Sequence, residues 1–282
     1  MILGLLWPSR NGHALIETFG FLGQETEEEY RAKSSDYLDS EQLGDFREDA
    51  FLFHKRQRGL VPPERHRDAQ VDYAASVRIL QGREYFQNHY AFAGPIDPRD
   101  GKPFSEYSIE YRQWVAEQTK PVLTAEQADS IEHIAFGYRA HSGAQELLSD
   151  GVAMGVVRSR YCGIPCQARL DWLNPKRGIV AVMTCDHFRW RDSHIRSDGL
   201  VHEMAFHRAL LAQVVGHAVA VHVIAVEKQV PHRCGVWGIS ERLLRRAQRD
   251  NEKAIARLQE CRRLNRWPTG YERVRTLATI GI

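Results

Sequence analysis

Several features of common protein classes are missing from this sequence of 282 residues. It has no run of eighteen apolar residues, so no transmembrane helix is expected. The apolar start of the chain lacks a basic segment and a small-residue cleavage site, so we expect no signal peptide. Internal repeats and low-complexity segments are also missing. We therefore expect a cytoplasmic globular protein that does not associate with a membrane.

Cysteine is scarce and irregularly placed. The sequence has five cysteines, an odd number, which favours reduced thiols in a cytoplasmic protein over a set of disulfides. Cys162 and Cys166 are separated by Gly-Ile-Pro, which is typical of a hairpin turn. A zinc site would need a second ligand pair, and no pair of the usual spacing occurs.

Charge is nearly balanced, at +2, so the total does not identify a partner. Its distribution is uneven, since residues 25–49 are acidic and residues 241–266 are rich in arginine. The arginine-rich segment has two interpretations. It is either a solvated helix face with ion pairs between residues four apart, or a surface that binds DNA phosphates through Arg245, Arg246 and Arg249.

Helical patterns dominate the first half of the chain. The first predicted helix, over 34–59, begins at an Asp39 or Ser40 cap and stops at Gly59, with Leu43, Phe46, Ala50, Phe51 and Phe53 on its core face. Further helices are predicted over 68–82, ending at Gly82, over 106–119, and over 124–151, capped by Thr124 and interrupted near Ser142. Residues 93–107 are broken by proline and glycine and predict a loop.

After residue 151 the period of the apolar pattern changes. Strands are predicted over 152–161, 165–173, 178–185, 218–228 and 233–239, with helices over 197 or 198 to 215 and from a Ser240 cap to about Trp267. This order predicts an α/β (or α+β) fold with a mixed central sheet flanked by helices. We expect a core over 124–282, with a helical and loop region over 1–123 packed on it.

Five stretches of the chain resemble, in order, the PD-(D/E)XK nucleases of the RecE or exonuclease VIII branch, which includes the exodeoxyribonuclease 8 proteins. λ exonuclease is a more distant relative. The stretches are SSDYLDSEQLGDFRED, PIDPRDGKPF with WVAEQTKPVLTAEQA, YCGIPCQARLDWLNPKRGIV, VIAVEKQVPHRCGVW and WPTGYE. The resemblance implies a restriction-endonuclease-like core with an N-terminal helical extension.

The resemblance also implies a chemistry. Its relatives degrade double-stranded DNA 5′→3′ from the ends with a water activated by magnesium or manganese. It further implies a homo-oligomer, a role in phage or prophage recombination, and a single-strand annealing protein as a further partner. In the family, an Asp on the second strand and an Asp on the third hold the ion. A Lys two residues after the second Asp stabilises the developing charge.

Carried across residue by residue, only part of this catalytic set remains. Asp171 matches the Asp of the second strand, whereas the Asp and Lys positions of the third hold Ala181 and Met183. The family's Gln and Tyr positions fall at Glu203 and His207. Losing one preorganised electrostatic contact costs about 3–4 kcal/mol in the transition state. The sequence therefore predicts a degenerate nuclease that binds DNA or a recombination partner, with Asp171 a weak metal ligand.

An active metal-dependent exonuclease with relocated ligands is the alternative. Asp186, Glu203 and Glu227 are the candidates for such ligands. Glu227 with Lys228 is otherwise interpreted as an ion pair at a strand end. One helical turn carries a polar cluster that could bind a transition metal or form a surface contact: His202, Glu203 and His207.

Two other family positions are changed. Met154 stands near the position of a family Glu, and Arg78 near that of a family His. Arg78 could pair with Asp171 and replace the charge of the metal, which is a hypothesis. A third function is a scaffolding subunit that holds a protein partner and does not bind DNA.

Overall fold

A computed structural model describes residues 21–22, 25–62, 69–92, 94–188 and 198–273 of the chain. The first 20 residues and Ser197 lie outside the described residues. The first half of the chain contains β1 (Phe21–Leu22), α1 (Glu27–Ala32), α2 (Ser40–Glu48), α3 (Ala50–Gln57), α4 (Ala69–His89), β2 (Ala91–Phe92), α5 (Ile109–Glu117) and β3 (Val122–Leu123). The second half contains α6 (Ala125–Arg139), α7 (Ser142–Leu147), β4 (Val152–Tyr161), β5 (Ile164–Asn174), β6 (Gly178–Cys185), α8 (Asp198–Val215), β7 (Val221–Glu227), β8 (Cys234–Gly238) and α9 (Glu241–Leu264).

The central sheet has the order β1-β4-β5-β6-β7-β8 within the described residues. Strands β6 and β7 are parallel and the other neighbours are antiparallel, so the sheet is mixed, as predicted. One face packs against α2, α3, α8 and α9, and the other against α4, α6 and α7. Because helices cover both faces, the central strand β7 is apolar along nearly its whole length.

The predicted helix over 34–59 is two helices. Asp39 caps α2 by accepting the N–H of Gln42 at 2.8 Å, which confirms one of the two predicted caps. Asp49 then adopts an extended backbone and accepts the N–H of Leu52 at 2.8 Å, which starts α3. The break turns the face of α3, so Phe51, which was predicted to be in the core, is 39% exposed.

Other helix ends follow their local signals. Gly82 has φ of 85°, so the helical backbone is interrupted there as predicted, but α4 resumes and reaches His89. Thr124 caps α6 as predicted. His141 separates α6 from α7, at the predicted interruption. Helix α9 begins after its Ser240 cap and ends at Leu264, slightly earlier than expected.

The regions 1–123 and 124–282 contribute to the same two hydrophobic cores. Phe46 of α2 and Leu210 of α8 belong to one core, and Val77 of α4 and Ile134 of α6 to the other. Whether the two regions are separate domains stays a prediction. None of the described helices combines the length and apolar character needed to cross a membrane.

Candidate functional site at a fork between two strands

Strands β5 and β6 separate close to their shared turn. They are paired at Trp172–Val180, Leu173–Ile179 and Asn174–Gly178. Beyond these pairs β5 continues alongside β4, and β6 continues alongside β7. The two strands therefore form a fork, and Asp171 and Ala181 are the first residues beyond its last pair.

Asp171 lies in the mouth of this fork. Its Oδ2 accepts the N–H of Val182 at 2.8 Å, so the carboxylate takes the place of a missing backbone partner. Burial raises the pKa of Asp171 to about 6, although the Val182 N–H and the charge of Arg169 act in the opposite direction. Ala181 is buried in the core on the α8 side, and Met183 is partly buried against it. Neither brings a charge or a metal ligand to the fork.

Further acidic side chains are grouped around Glu203, near Asp171. Burial raises the pKa of Glu203 on α8 to about 7, and repulsion by Asp171, Glu41 and Asp39 adds to the rise. Burial also raises the pKa of Asp39 to about 6. The side chain of Glu203 is 45% exposed, so solvent screens part of this repulsion. We call Asp39, Glu41, Asp171 and Glu203 the fork cluster.

His207 is buried behind the fork cluster. Its Nε2 lies 3.1 Å from Ser40 Oγ and 3.9 Å from Glu203 Oε1. Burial lowers the pKa of His207 to about 4, so the ring is neutral at pH 7. The prediction of a surface contact for Glu203 and His207 is therefore wrong for the imidazole. His202 faces α9 instead, with Nε2 3.9 Å from Asp250 Oδ2, so the predicted one-turn cluster is divided.

The hypothesis that Arg78 pairs with Asp171 is wrong. Arg78 donates two hydrogen bonds to Glu132 on α6, at 2.8 and 2.9 Å. The packing of α4 on α6 directs the guanidinium away from the fork. Met154 is buried and has φ of 52°, and its thioether brings no carboxylate.

Comparisons with known proteins agree with this fold. A family model described as "PDDEXK-like domain of unknown function (DUF3799)" matches residues 99–278, more than half of the chain. The chain belongs to this family. The crystal structure of a protein described as "Putative exonuclease" from Eubacterium rectale has a similar fold, with a TM-score of 0.64 and 13% identity over 91% of this chain and 96% of that chain. No curated protein sequence matches the chain.

The PDDEXK family uses divalent metal ions, but the donor set at this fork does not fit one well. Magnesium prefers near-octahedral oxygen coordination with carboxylates from the protein. Of the two strands only Asp171 supplies a carboxylate, and one of its oxygens already accepts the Val182 N–H. Among the described residues no group of three or more His, Cys, Asp and Glu is placed to hold a metal ion.

The other acidic residues considered as relocated ligands lie at the neighbouring ends of β6 and β7. Glu227 is buried and pairs with Arg233 at 2.6 Å, which lowers the pKa of Glu227 to about 2. Lys228 contacts Asp72 at 3.5 Å and Asp186 at 3.3 Å. Glu227 and Lys228 thus both form ion pairs at a strand end, as interpreted. They pair with other residues, however, and not with each other.

The three arginines of α9 predicted to bind DNA lie on its solvent face. Arg245 pairs with Glu241 four residues earlier at 2.6 Å, which agrees with the solvated-helix interpretation. Arg246 and Arg249 are also exposed, and the described residues show no ion pair for either. DNA binding by these three residues stays a prediction.

Sequence reasoning missed several residues beside the fork. Asp39 and Glu41 were treated only as part of a helix start, and Arg158 and Arg169 were not singled out. One signal was available, because Gln167, Arg169 and Asp171 recur at every second position of β5, the spacing of residues on one face of a regular strand. Three polar side chains in a row on a largely buried strand indicate a polar site.

Proposed function

We propose that this PDDEXK-like protein is a catalytically degenerate nuclease of the RecE or exonuclease VIII type that binds double-stranded DNA ends. The observation that carries the proposal is the fork itself, where Ala181 and Met183 stand in place of the family's Asp and Lys. A role in phage or prophage recombination, beside a single-strand annealing protein, is part of the proposal and comes from the family resemblance.

The physical reason for inactivity is the lack of a lysine at the fork, since the nearby Arg158 and Arg169 are already paired with Glu25 and Glu27. A phosphoryl transition state gathers negative charge, and the fork cluster presents carboxylates to it without a lysine. The thioether of Met183 cannot stabilise that charge. The loss of the Asp and the Lys together is expected to cost more than the hundred- to thousandfold typical of one lost contact.

A second function is an active metal-dependent exonuclease with relocated ligands. It is favoured by Glu203, because repulsion from Asp171 contributes to its raised pKa and therefore places the two carboxylates near each other. Asp186 and Glu227 support this alternative less well, since both are already ion-paired.

The deciding experiment is a cleavage assay on end-labelled linear duplex DNA with magnesium and then manganese, run in parallel with a gel shift at low salt. We expect a shift without degradation. Arg246→Gln with Arg249→Gln should weaken the shift for all sequences and reduce the salt slope by about 2. Arg263→Gln is the matched control, since Arg263 lies on the same helix and pairs with Glu260 at 2.5 Å.

Metal-dependent degradation that disappears in Asp171→Ala and Glu203→Gln would replace the proposal with the active exonuclease. Phosphate contacts are strongest at low salt. A protein that neither cuts nor shifts DNA under that condition would therefore favour the scaffolding subunit. Sedimentation of the protein alone tests the proposed homo-oligomer.

A further inference from the structure

Two arginines stand beside the fork. Arg158 on β4 lies opposite Gln167 on β5, and Arg169 lies two residues farther along β5. Diagonal neighbours of this kind are about 7–8 Å apart. Asp171 follows Arg169 by two residues, and the positive charge of Arg169 acts to lower the pKa of Asp171. The arginine pair, Arg158 and Arg169, therefore lies beside Asp171 and the fork.

A short acidic segment covers the arginine pair. This segment, residues 25–33, contains α1 and is called the acidic strap below. Glu25 accepts hydrogen bonds from both terminal nitrogens of Arg158, at 2.6 and 2.7 Å, and Glu27 forms an ion pair with Arg169. All six residues of α1 are at least partly exposed. Charge, hydrogen bonds and the packing of Tyr30 on Arg169 hold the strap, and the charged part of this attachment is expected to weaken as salt rises.

Aromatic rings flank both guanidinium groups. Tyr37 lies 5.2 Å from Arg158, and Tyr30 and Tyr73 lie 5.4 and 5.5 Å from Arg169. Tyr37 and Tyr73 are outside the strap and would remain in place without it. Guanidinium groups bind carboxylates and phosphates with the same two-pronged geometry. Arginines beside aromatic rings are also typical of surfaces that bind nucleic acid strands.

The burial of the two arginine side chains determines how the strap can dissociate from them. The side chains of Arg158 and Arg169 are 10% and 14% exposed. Loss of Glu25 and Glu27 without a replacement would leave two largely buried charges unpaired, which is strongly unfavourable. Exchange of each carboxylate for a phosphate keeps both guanidinium groups paired. The strap is therefore expected to dissociate from the arginine pair only when an anion replaces its carboxylates.

We propose that the arginine pair binds the phosphodiester backbone of DNA and that the acidic strap occupies this site until DNA displaces it. The inference rests on the proposed DNA binding and adds a location for it beside the fork. It also makes the strap a competitor that lowers the affinity of the protein for DNA.

The test is DNA affinity in the full chain, measured by fluorescence anisotropy of a labelled duplex over a salt series. Glu25→Gln with Glu27→Gln should bind DNA about five- to tenfold more tightly than the unmodified protein, because the competitor is neutralised. The matched control is Glu28→Gln with Glu29→Gln. It removes two charges from the same helix, and glutamine at position 29 can keep the capping box with Thr26. The control should change affinity by no more than about twofold.

A second variant tests the arginines directly. Arg158→Gln and Arg169→Gln are combined with Glu25→Gln and Glu27→Gln, so that no charge is left without its partner. This variant should lose the gain in affinity and reduce the salt slope by about 2. Circular dichroism checks that it folds. Hydrogen exchange of residues 27–33 should become faster when DNA is added to the unmodified protein.

The outcomes separate the two proposals. If the unmodified protein binds DNA but the strap variant behaves like its control, the strap does not compete and this inference is overturned, while DNA binding stands. Slower hydrogen exchange of the strap with DNA also overturns it, since the strap then stays in place. If no variant binds DNA at low salt, both proposals fail.

Discussion

The pKa values of buried carboxylates are shifted in opposite directions in two regions of this molecule. At the fork, burial raises the pKa values of Asp39, Asp171 and Glu203, and repulsion by neighbouring carboxylates raises the pKa of Glu203 further. At the end of β7, Glu227 is fully buried but has a lowered pKa, because Arg233 and two backbone N–H groups bind it. Both regions lie on the same sheet.

The difference separates a paired region that serves the fold from a region with the pKa shifts typical of functional sites. Carboxylates that serve the fold are paired, as Glu227 is, because an unpaired buried charge lowers stability. Carboxylates whose pKa values are raised by burial and by one another are typical of functional sites. The electrostatics of the fork therefore support the proposal that it is the family's site, with Ala181 and Met183 in place of two catalytic groups.

The largest effect on the free energy of unfolding is expected from Glu227→Gln, at the end of β7. It removes the ion pair with Arg233, and we expect a loss of about 2–3 kcal/mol in the free energy of unfolding. Since the folded pKa of Glu227 is about 2, its stabilisation is fully present above about pH 4.5 and is lost as pH falls toward 2. Urea denaturation should give the same loss at pH 8 and pH 5. The exposed Glu28→Gln is the control and should have almost no effect.

A smaller effect of opposite sign is expected from Asp171→Asn at the fork. Asparagine keeps an oxygen for the Val182 N–H but removes the charge. Folding raises the pKa of Asp171 to about 6, so ionisation costs stability above that pH and nothing below about pH 4. The variant should gain about 1–2 kcal/mol at pH 8 and nothing at pH 4. A loss of stability at pH 8 would mean that the ionised carboxylate stabilises the fork. The contrast between the fork and the region around Glu227 would then be wrong.

The smallest effect is expected from Glu203→Gln. Because the pKa of Glu203 is raised to about 7, removal of its charge should stabilise the protein above that pH, as for Asp171. The side chain of Glu203 is 45% exposed, however, so solvent screens the repulsion. The gain at pH 8 should stay below about 1 kcal/mol. NMR titration of Asp171 in this variant should show a lowered pKa. An unchanged pKa would separate Glu203 from the fork cluster.

Local patterns predicted the helices and strands well where one signal acted within a few residues. The caps at Asp39, Thr124 and Ser240 are examples, because a cap joins a side chain to a backbone N–H three residues away. The prediction of one helix over 34–59 was wrong because Asp49 looks like an ordinary helical residue until its extended backbone is seen. The pairing of Arg78 was wrong for a related reason, since helix packing decides its partner.

The sequence by itself determined the order of elements, the PDDEXK-like family and the identity of Ala181 and Met183, because each depends on which residue stands at a position. The tertiary structure decided which remote groups meet. It brought Asp39, Asp171 and Glu203 to one fork, gave Glu227 its own arginine, and laid Glu25 and Glu27 on Arg158 and Arg169. Such contacts join residues far apart in the chain, and their energies depend on burial and distance, which only packing defines.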